Sequence, residues 1–120
     1  MIIGSGVDII EIERLKSAIE RWGEAFLKRV FTAKEVDYSK KRRFPYEHLA
    51  ARFAAKEAVL KALSNYRYDY KDIEITNNGD GKPVCNLKHS ADELTILLSI
   101  SHTKNYAVAS AIITKGEKRS

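Results

Sequence analysis

Four charged side chains interrupt an otherwise apolar helical pattern over residues 49–63: Arg52, Lys56, Glu57 and Lys61. A helix that is apolar nearly all round is normally buried, and a buried charge is costly unless it is paired or binds an ion. Glu57 and Lys61 have the spacing that favours an ion pair within the helix, but this pair leaves Arg52 and Lys56 unexplained. Three cations beside one carboxylate therefore predict an anion site, reached directly or through a metal ion.

A second carboxylate, Asp8, ends a short strand predicted over residues 2–8. It stands between Val7 and two isoleucines, an unusually apolar setting for a charged group. Aspartate is a good N-cap for a following helix. Carboxylate oxygen is also the ligand that Mg²⁺ prefers. The residues alone leave both roles open for Asp8.

An amphipathic helix is predicted over residues 11–22, because its apolar side chains recur at helical spacing. Arg14 and Arg21 are seven residues apart and share another face of this helix. Such charged faces are most often simply solvated. Gly23 is expected to end or kink the helix, with a helical continuation over residues 26–31.

A second helix is predicted from Thr32, because Thr32 and Glu35 have the spacing of a capping box. It runs into four basic residues, 40–43, which are either solvated or available to phosphate. Pro45 follows and suits the first turn of the central helix.

The second half of the chain is dominated by strand patterns. They cover residues 72–76, 83–87, 95–101 and 106–114. Turn residues between successive stretches predict two hairpins, with one helical turn over residues 89–93 and a polar tail from residue 115. The fold class predicted for this single domain, residues 1–120, is α+β: a mainly antiparallel sheet packed on a long central helix, with additional N-terminal helices.

Of the 120 residues, 44% are hydrophobic and 31% are charged. These values are typical of a soluble globular domain, and no apolar run reaches the roughly 20 residues that span a membrane. Cys85 is the only cysteine, which excludes an internal disulfide framework. The N-terminal residues lack the pattern of a signal peptide, so we expect a cytoplasmic protein. The net charge of +5 favours an anionic partner: nucleic acid, a phosphorylated small molecule or an acidic protein.

Three segments together resemble the signature motifs of the phosphopantetheinyl transferases. They are residues 6–9 (GVDI), 52–58 (RFAAKEA) and 99–107 (SISHTKNYA). The single-domain length, the segment with Thr32 and Glu35, and the hairpin around Pro83 are similar to the holo-(acyl carrier protein) synthase group of that family. Each motif alone is weak, but all of them in order are specific.

The resemblance implies an enzyme that moves the 4′-phosphopantetheine arm of coenzyme A to a serine of an apo acyl carrier protein, in support of fatty acid biosynthesis. The serine hydroxyl attacks the β-phosphorus, and 3′,5′-ADP leaves. By motif match, Asp8 and Glu57 hold a Mg²⁺ ion, and coenzyme A is the co-substrate. Glu57, Glu35 or a metal-bound water could each take the serine proton.

The resemblance also implies which side chains meet phosphate. Lys61, one helical turn beyond Glu57, would contact the pyrophosphate and stabilise the leaving group. His102 matches the motif histidine associated with the coenzyme A phosphates, although a structural histidine is the ordinary interpretation of the residue by itself. Arg52 and Lys56 are expected to make further phosphate contacts.

The expected partners follow from the same family. Carrier proteins are acidic, and Arg14 and Arg21 lie on a helix that begins just after Asp8, where an acidic helix could align. The group is typically a homotrimer with active sites between subunits, and neither nucleic acid nor a membrane is an expected partner. In one respect the sequence departs from the family. The connection over residues 64–71 contains no glycine, and tyrosine hydroxyls or Arg67 would have to replace its backbone contacts.

Two other classes of function are the alternatives. A non-catalytic nucleic-acid-binding domain would explain the net charge and the basic run over residues 40–43, but it gives Asp8 and Glu57 no role. In a structural or assembly module, Glu57 and Lys61 would form only a stabilising salt bridge and would have no catalytic role.

Overall fold

The computed structural model of the chain describes residues 1–64, 66–89 and 93–116 and has an α+β architecture, as the sequence predicts. The elements, in chain order, are β1 (Ile2–Glu11), α1 (Ile12–Val30), α2 (Ala33–Lys40), α3 (Pro45–Ala62), a 3₁₀ turn (Tyr70–Asp72), β2 (Ile73–Asn77), β3 (Pro83–Leu87), β4 (Leu94–His102) and β5 (Tyr106–Lys115). No helix within these described ranges is long and apolar enough to cross a membrane.

The strands form two antiparallel sheets. β1, β5 and β4 make a three-stranded sheet in the order β1-β5-β4, and β2 pairs with β3 as a separate hairpin. Both predicted hairpins are confirmed, and the N-terminal strand joins the C-terminal one, with Asp8 opposite Ala109. The β1 strand is longer than predicted, because its pairing with β5 continues to Glu11 opposite Tyr106.

The contact between α3 and β1 depends on two glycines. A Cβ atom at Gly4 would lie 2.0 Å from the carbonyl oxygen of Ala62, and one at Gly6 would lie 2.1 Å from that of Ala58. Only glycine permits this close approach of strand to helix. Because side chains alternate along a strand, Asp8 shares the face of Gly4 and Gly6 and is therefore aimed at α3.

The two helices before α3 follow the predicted pattern. α1 changes direction at Gly23, whose φ of 58° is in the left-handed region that favours glycine. α2 begins with the predicted capping box. The Thr32 side chain accepts a hydrogen bond from the backbone N–H of Glu35, and the Glu35 side chain accepts one from that of Thr32. The core lies between these helices, α3 and the inner face of the three-stranded sheet.

Two predictions fall partly or wholly outside the described residues. The helical turn predicted over residues 89–93 includes residues 90–92, which are outside the described ranges. Residues 117–120, which make up most of the predicted polar tail, are also outside them.

Candidate active site

Asp8 and Glu57 line the same cleft, whose volume is about 460 Å³. Asp8 projects from β1, and Glu57 projects from α3 at the point where that helix crosses the strand. Arg14 of α1, Phe53 of α3 and Tyr106 of β5 also line this cleft. The structure therefore brings together two carboxylates, at positions 8 and 57, that are 49 residues apart in the sequence.

Lys61 makes its ion pair with Asp8 and not along its own helix. Its Nζ lies 2.9 Å from Oδ1 of Asp8 and 3.0 Å from the carbonyl oxygen of Val7. The Lys61 side chain is 53% exposed, so the ammonium group remains open to solvent on one side. The N-cap role considered for Asp8 is wrong, because the N-cap of α1 is Glu11, three residues later.

Glu57 is held by a residue that the sequence did not single out. The hydroxyl of Tyr70 donates a hydrogen bond to Oε1 of Glu57. The ring of Tyr70 stacks on Phe53, with centroids 5.8 Å apart and planes 27° from parallel. Burial, the hydrogen bond to Glu57, and the negative charges of Glu57 and Asp8 raise the pKa of Tyr70 to about 12. Its hydroxyl is therefore protonated and a donor at neutral pH.

Lys56 lies inside the fold and not in the cleft. Its Nζ contacts Oε1 of Glu35 at 2.6 Å and donates to the carbonyl oxygens of Val30 at 2.7 Å and Tyr70 at 3.0 Å. Both side chains of this ion pair are 0% exposed. Burial lowers the pKa of Lys56, and the charge of Glu35 opposes that effect. All three N–H groups of the Lys56 ammonium are thus bonded within the protein. Lys56 therefore has a structural role here, and the phosphate contact expected from the sequence is not what the structure favours.

The carboxylate of Glu35 is likewise buried and bonded only within the protein. Besides Lys56, its carboxylate accepts hydrogen bonds from the backbone N–H groups of Thr32 and Ile75. It therefore ties α2, α3 and β2 together. A carboxylate that is fully buried and bonded on both oxygens cannot reach a substrate hydroxyl.

Arg52 occupies a different, cationic corner of α3. Its guanidinium donates to Oδ1 of Asn77 at 2.7 Å and lies 3.9 Å above the Tyr38 ring. Arg42 covers the same ring, with its guanidinium carbon 3.3 Å from the centroid. Arg52 is buried, and its Nε has no hydrogen-bond partner among the described residues. Burial lowers the pKa of Arg52, with the Tyr38 hydroxyl and the charge of Glu35 acting in the opposite direction.

His102 adjoins this cationic corner, because its ring contacts the ring of a second histidine, His48. The two rings meet edge to face with centroids 5.9 Å apart, and Nδ1 of His102 lies 3.9 Å from Oε2 of Glu47. Burial lowers the pKa of His48, and the neighbouring charges of His102, Arg52 and Arg42 lower it further. Cations gathered at one corner, one of them with an unused buried N–H, are typical of a site that binds an anion.

The two arginines predicted to meet a partner are both exposed on α1. Arg14 lines the cleft beside Asp8. Arg21 lies near the Gly23 kink, with its guanidinium carbon 5.0 Å from the centre of the exposed Trp22 ring.

Residues 4–111 match the 4′-phosphopantetheinyl transferase superfamily. The chain belongs to this superfamily. It is 50% identical over 115 residues to a holo-[acyl-carrier-protein] synthase of Thermodesulfovibrio yellowstonii, with 95% of this chain and 100% of the relative covered. A relative of the same name from Clostridium tetani is 49% identical over 122 residues, with 94% of this chain and 96% of the relative covered. The resemblance drawn from the motifs is confirmed.

Solved structures of the superfamily have the same fold. One is a holo-(acyl-carrier-protein) synthase from Bacillus anthracis in complex with CoA (3′,5′-ADP), with a TM-score of 0.82 and 34% identity, covering 97% of this chain and 99% of that one. The synthase of Neisseria meningitidis gives a TM-score of 0.86 at 28% identity, covering 96% of this chain and 100% of that one.

Proposed function

We propose that this chain is a holo-(acyl carrier protein) synthase. It transfers 4′-phosphopantetheine from coenzyme A to a serine of apo acyl carrier protein and releases 3′,5′-ADP. The observation that carries the proposal is that Asp8 and Glu57 line one cleft, with Lys61 paired to Asp8, in a member of this superfamily. The activity supports fatty acid biosynthesis, and we place it in the cytoplasm.

Asp8 and Glu57 are the proposed ligands of a Mg²⁺ ion. The described residues contain no group of three or more His, Cys, Asp or Glu side chains that could enclose a metal. A pair of carboxylates still fits Mg²⁺, because this ion keeps several waters and is completed by substrate phosphates. When bound, Mg²⁺ supplies neutralisation of the charge that develops on the pyrophosphate oxygens.

Lys61 supplies a positive charge beside Asp8. Its half-exposed ammonium group bonds to Asp8 and Val7 and can still offer a proton to a phosphate oxygen. We infer that Lys61 stabilises the leaving 3′,5′-ADP, as charge-assisted hydrogen bonds to phosphate do.

Neither glutamate considered as general base is free to take the serine proton once the metal is bound. Glu35 is sealed in its ion pair with Lys56, whereas Glu57 lines the cleft. Tyr70 bonds to Oε1 of Glu57, so Oε2 is the atom assigned to the metal.

The corner formed by Arg52, His102, Arg42 and His48 is the proposed site for a phosphate of coenzyme A. The buried Nε of Arg52, which has no hydrogen-bond partner in the part of the chain that the structure describes, is the feature that favours an anion there, since an orphaned donor costs free energy until it is bonded. Lys56 is bonded within the fold to Glu35, Val30 and Tyr70, so it need not touch the ligand.

Arg14 and Arg21 form the proposed docking site for the acidic carrier protein. Both guanidinium groups are exposed on α1, and Arg14 lies at the edge of the reaction cleft. Opposite charges on two partners speed their encounter and fix their orientation more than they add affinity.

We also propose a homotrimer with active sites at the subunit interfaces. The outer face of the β1-β5-β4 sheet, away from α3, carries exposed apolar side chains among serines. The register places side chains of this face side by side: Ile112 lies beside Leu97, and Val108 lies beside Ile9. An exposed apolar patch of this kind marks an interaction surface. Light scattering should give the mass of three chains.

The activity is tested by incubating the purified chain with an apo carrier protein, coenzyme A and Mg²⁺. Intact-mass spectrometry should show one phosphopantetheine added to the carrier. Chelation of divalent ions with EDTA should stop the reaction, and added Mg²⁺ should restore it. A carrier of unchanged mass would refute the activity, and transfer that continues in EDTA would refute only the metal requirement.

A further inference from the structure

The carboxylate of Glu57 needs an external support if it is to bind a metal in one orientation. The helix fixes only its backbone, and a glutamate side chain has several rotatable bonds whose freedom opposes binding. Metal-binding carboxylates are commonly oriented by a further hydrogen bond from the protein. In this chain the donor is the hydroxyl of Tyr70, which bonds to Oε1, one of the two carboxylate oxygens of Glu57.

Tyr70 is itself fixed at three points. Its ring stacks on Phe53, and its carbonyl oxygen accepts a hydrogen bond of 3.0 Å from the buried Nζ of Lys56. It also begins the 3₁₀ turn, which is closed by a bond of 2.9 Å from the backbone N–H of Asp69 to the Asp72 carboxylate. These contacts hold the phenol ring of Tyr70 in one position.

We propose that Tyr70 is a positioning residue that orients Glu57 so that its second oxygen faces the metal ion. The proposal rests on the assignment of Glu57 as a metal ligand under the proposed function. It gives a role to the glycine-free connection over residues 64–71: this segment delivers a hydroxyl to the metal ligand. It also links the buried Glu35–Lys56 pair to the site, because Lys56 anchors the backbone of Tyr70.

The test uses the full chain with coenzyme A present and Mn²⁺ as a spectroscopic substitute for Mg²⁺. Electron paramagnetic resonance measures the dissociation constant of Mn²⁺ directly, without turnover. Tyr70→Phe removes only the hydroxyl and keeps both the ring on Phe53 and the backbone bond to Lys56. We expect the Mn²⁺ affinity to fall about 10- to 100-fold, the usual effect of removing a support of a metal ligand.

Tyr68→Phe is the matched control, because it removes a hydroxyl from the same connection and should leave the Mn²⁺ affinity unchanged. In steady-state assays, Tyr70→Phe should need correspondingly more Mg²⁺ and should recover most of its turnover at saturating Mg²⁺. A purely structural role would not produce that recovery.

A double-mutant cycle separates orientation of Glu57 from any general effect on the fold. On a Glu57→Gln background, Tyr70→Phe should cause no further loss of Mn²⁺ affinity. An equal loss on both backgrounds, or wild-type affinity in Tyr70→Phe, would overturn the role of Tyr70. If Glu57→Gln alone binds Mn²⁺ as tightly as the wild type, the metal assignment itself fails, and the role of Tyr70 fails with it.

Discussion

Replacing Lys56 with methionine should destabilise the fold, with coenzyme A affinity affected much less. The substitution keeps the length of the side chain and removes its charge. The Glu35 carboxylate, 0% exposed, would lose the cation that lies 2.6 Å from it, and two buried carbonyl oxygens would lose a donor. Removing one partner of a buried ion pair costs about 3–5 kcal/mol, a large part of the roughly 5–15 kcal/mol that stabilises a typical domain.

The free energy of unfolding is measured by urea titration followed by circular dichroism, at one fixed concentration of chain. Lys34→Met is the matched control. Lys34 is exposed on α2 next to Glu35, and surface changes of this kind usually stay within about 0.5 kcal/mol. Coenzyme A affinity is measured in parallel by calorimetry, below the temperature at which the variant begins to unfold.

The opposite pattern would refute the structural place of Lys56. A variant that unfolds within about 1 kcal/mol of the wild type but has lost coenzyme A binding would show a lysine that contacts phosphate, as the motif alone predicts. It would also mean that the Glu35–Lys56 pair contributes little to the fold.

Three further predictions concern the cleft and its surroundings. Lys61→Ala should lower the transfer rate more than it weakens coenzyme A binding, because its charge acts mainly in the transition state; equal rates would make Lys61 only the structural partner of Asp8. Arg14→Glu combined with Arg21→Glu should raise the KM for carrier protein strongly and leave coenzyme A affinity nearly unchanged, and the wild-type reaction should slow as salt rises. NMR should place the pKa of His48 below the usual 6.5, since burial and nearby cations disfavour its charged form. As the pH falls, His48 is therefore protonated in the unfolded chain before it is protonated in the folded one. The contribution of His48 to stability should then decrease as the pH drops below about 6.5, and His48→Gln should remove that pH dependence.

Local patterns in the sequence were sufficient for much of the fold. The capping box of Thr32 and Glu35, the kink at Gly23 and both hairpins depend on short-range chemistry, and each was predicted. The extent of β1 was not, because only its pairing with β5 carries the strand past Asp8 to Glu11.

The candidate site was less accessible to sequence reasoning, because its decisive contacts join distant parts of the chain. Lys56 and Glu57 are neighbours in one motif, but consecutive helical residues point about 100° apart. One therefore faces the buried Glu35 and the other faces the cleft. Nothing in the spacing distinguishes those two directions. The bond from Tyr70 to Glu57 likewise depends on how the connection after α3 folds back onto the helix.

We propose that Asp8 and Glu57 hold the metal ion on which transfer depends. The most direct measurement is the rate at which Asp8→Asn and Glu57→Gln modify an apo carrier protein, followed by intact-mass spectrometry at saturating coenzyme A and Mg²⁺. These amides keep the shape of the side chains and remove the charge, so both variants should keep the wild-type circular dichroism spectrum and lose transfer. Near-normal turnover by either variant would contradict the account.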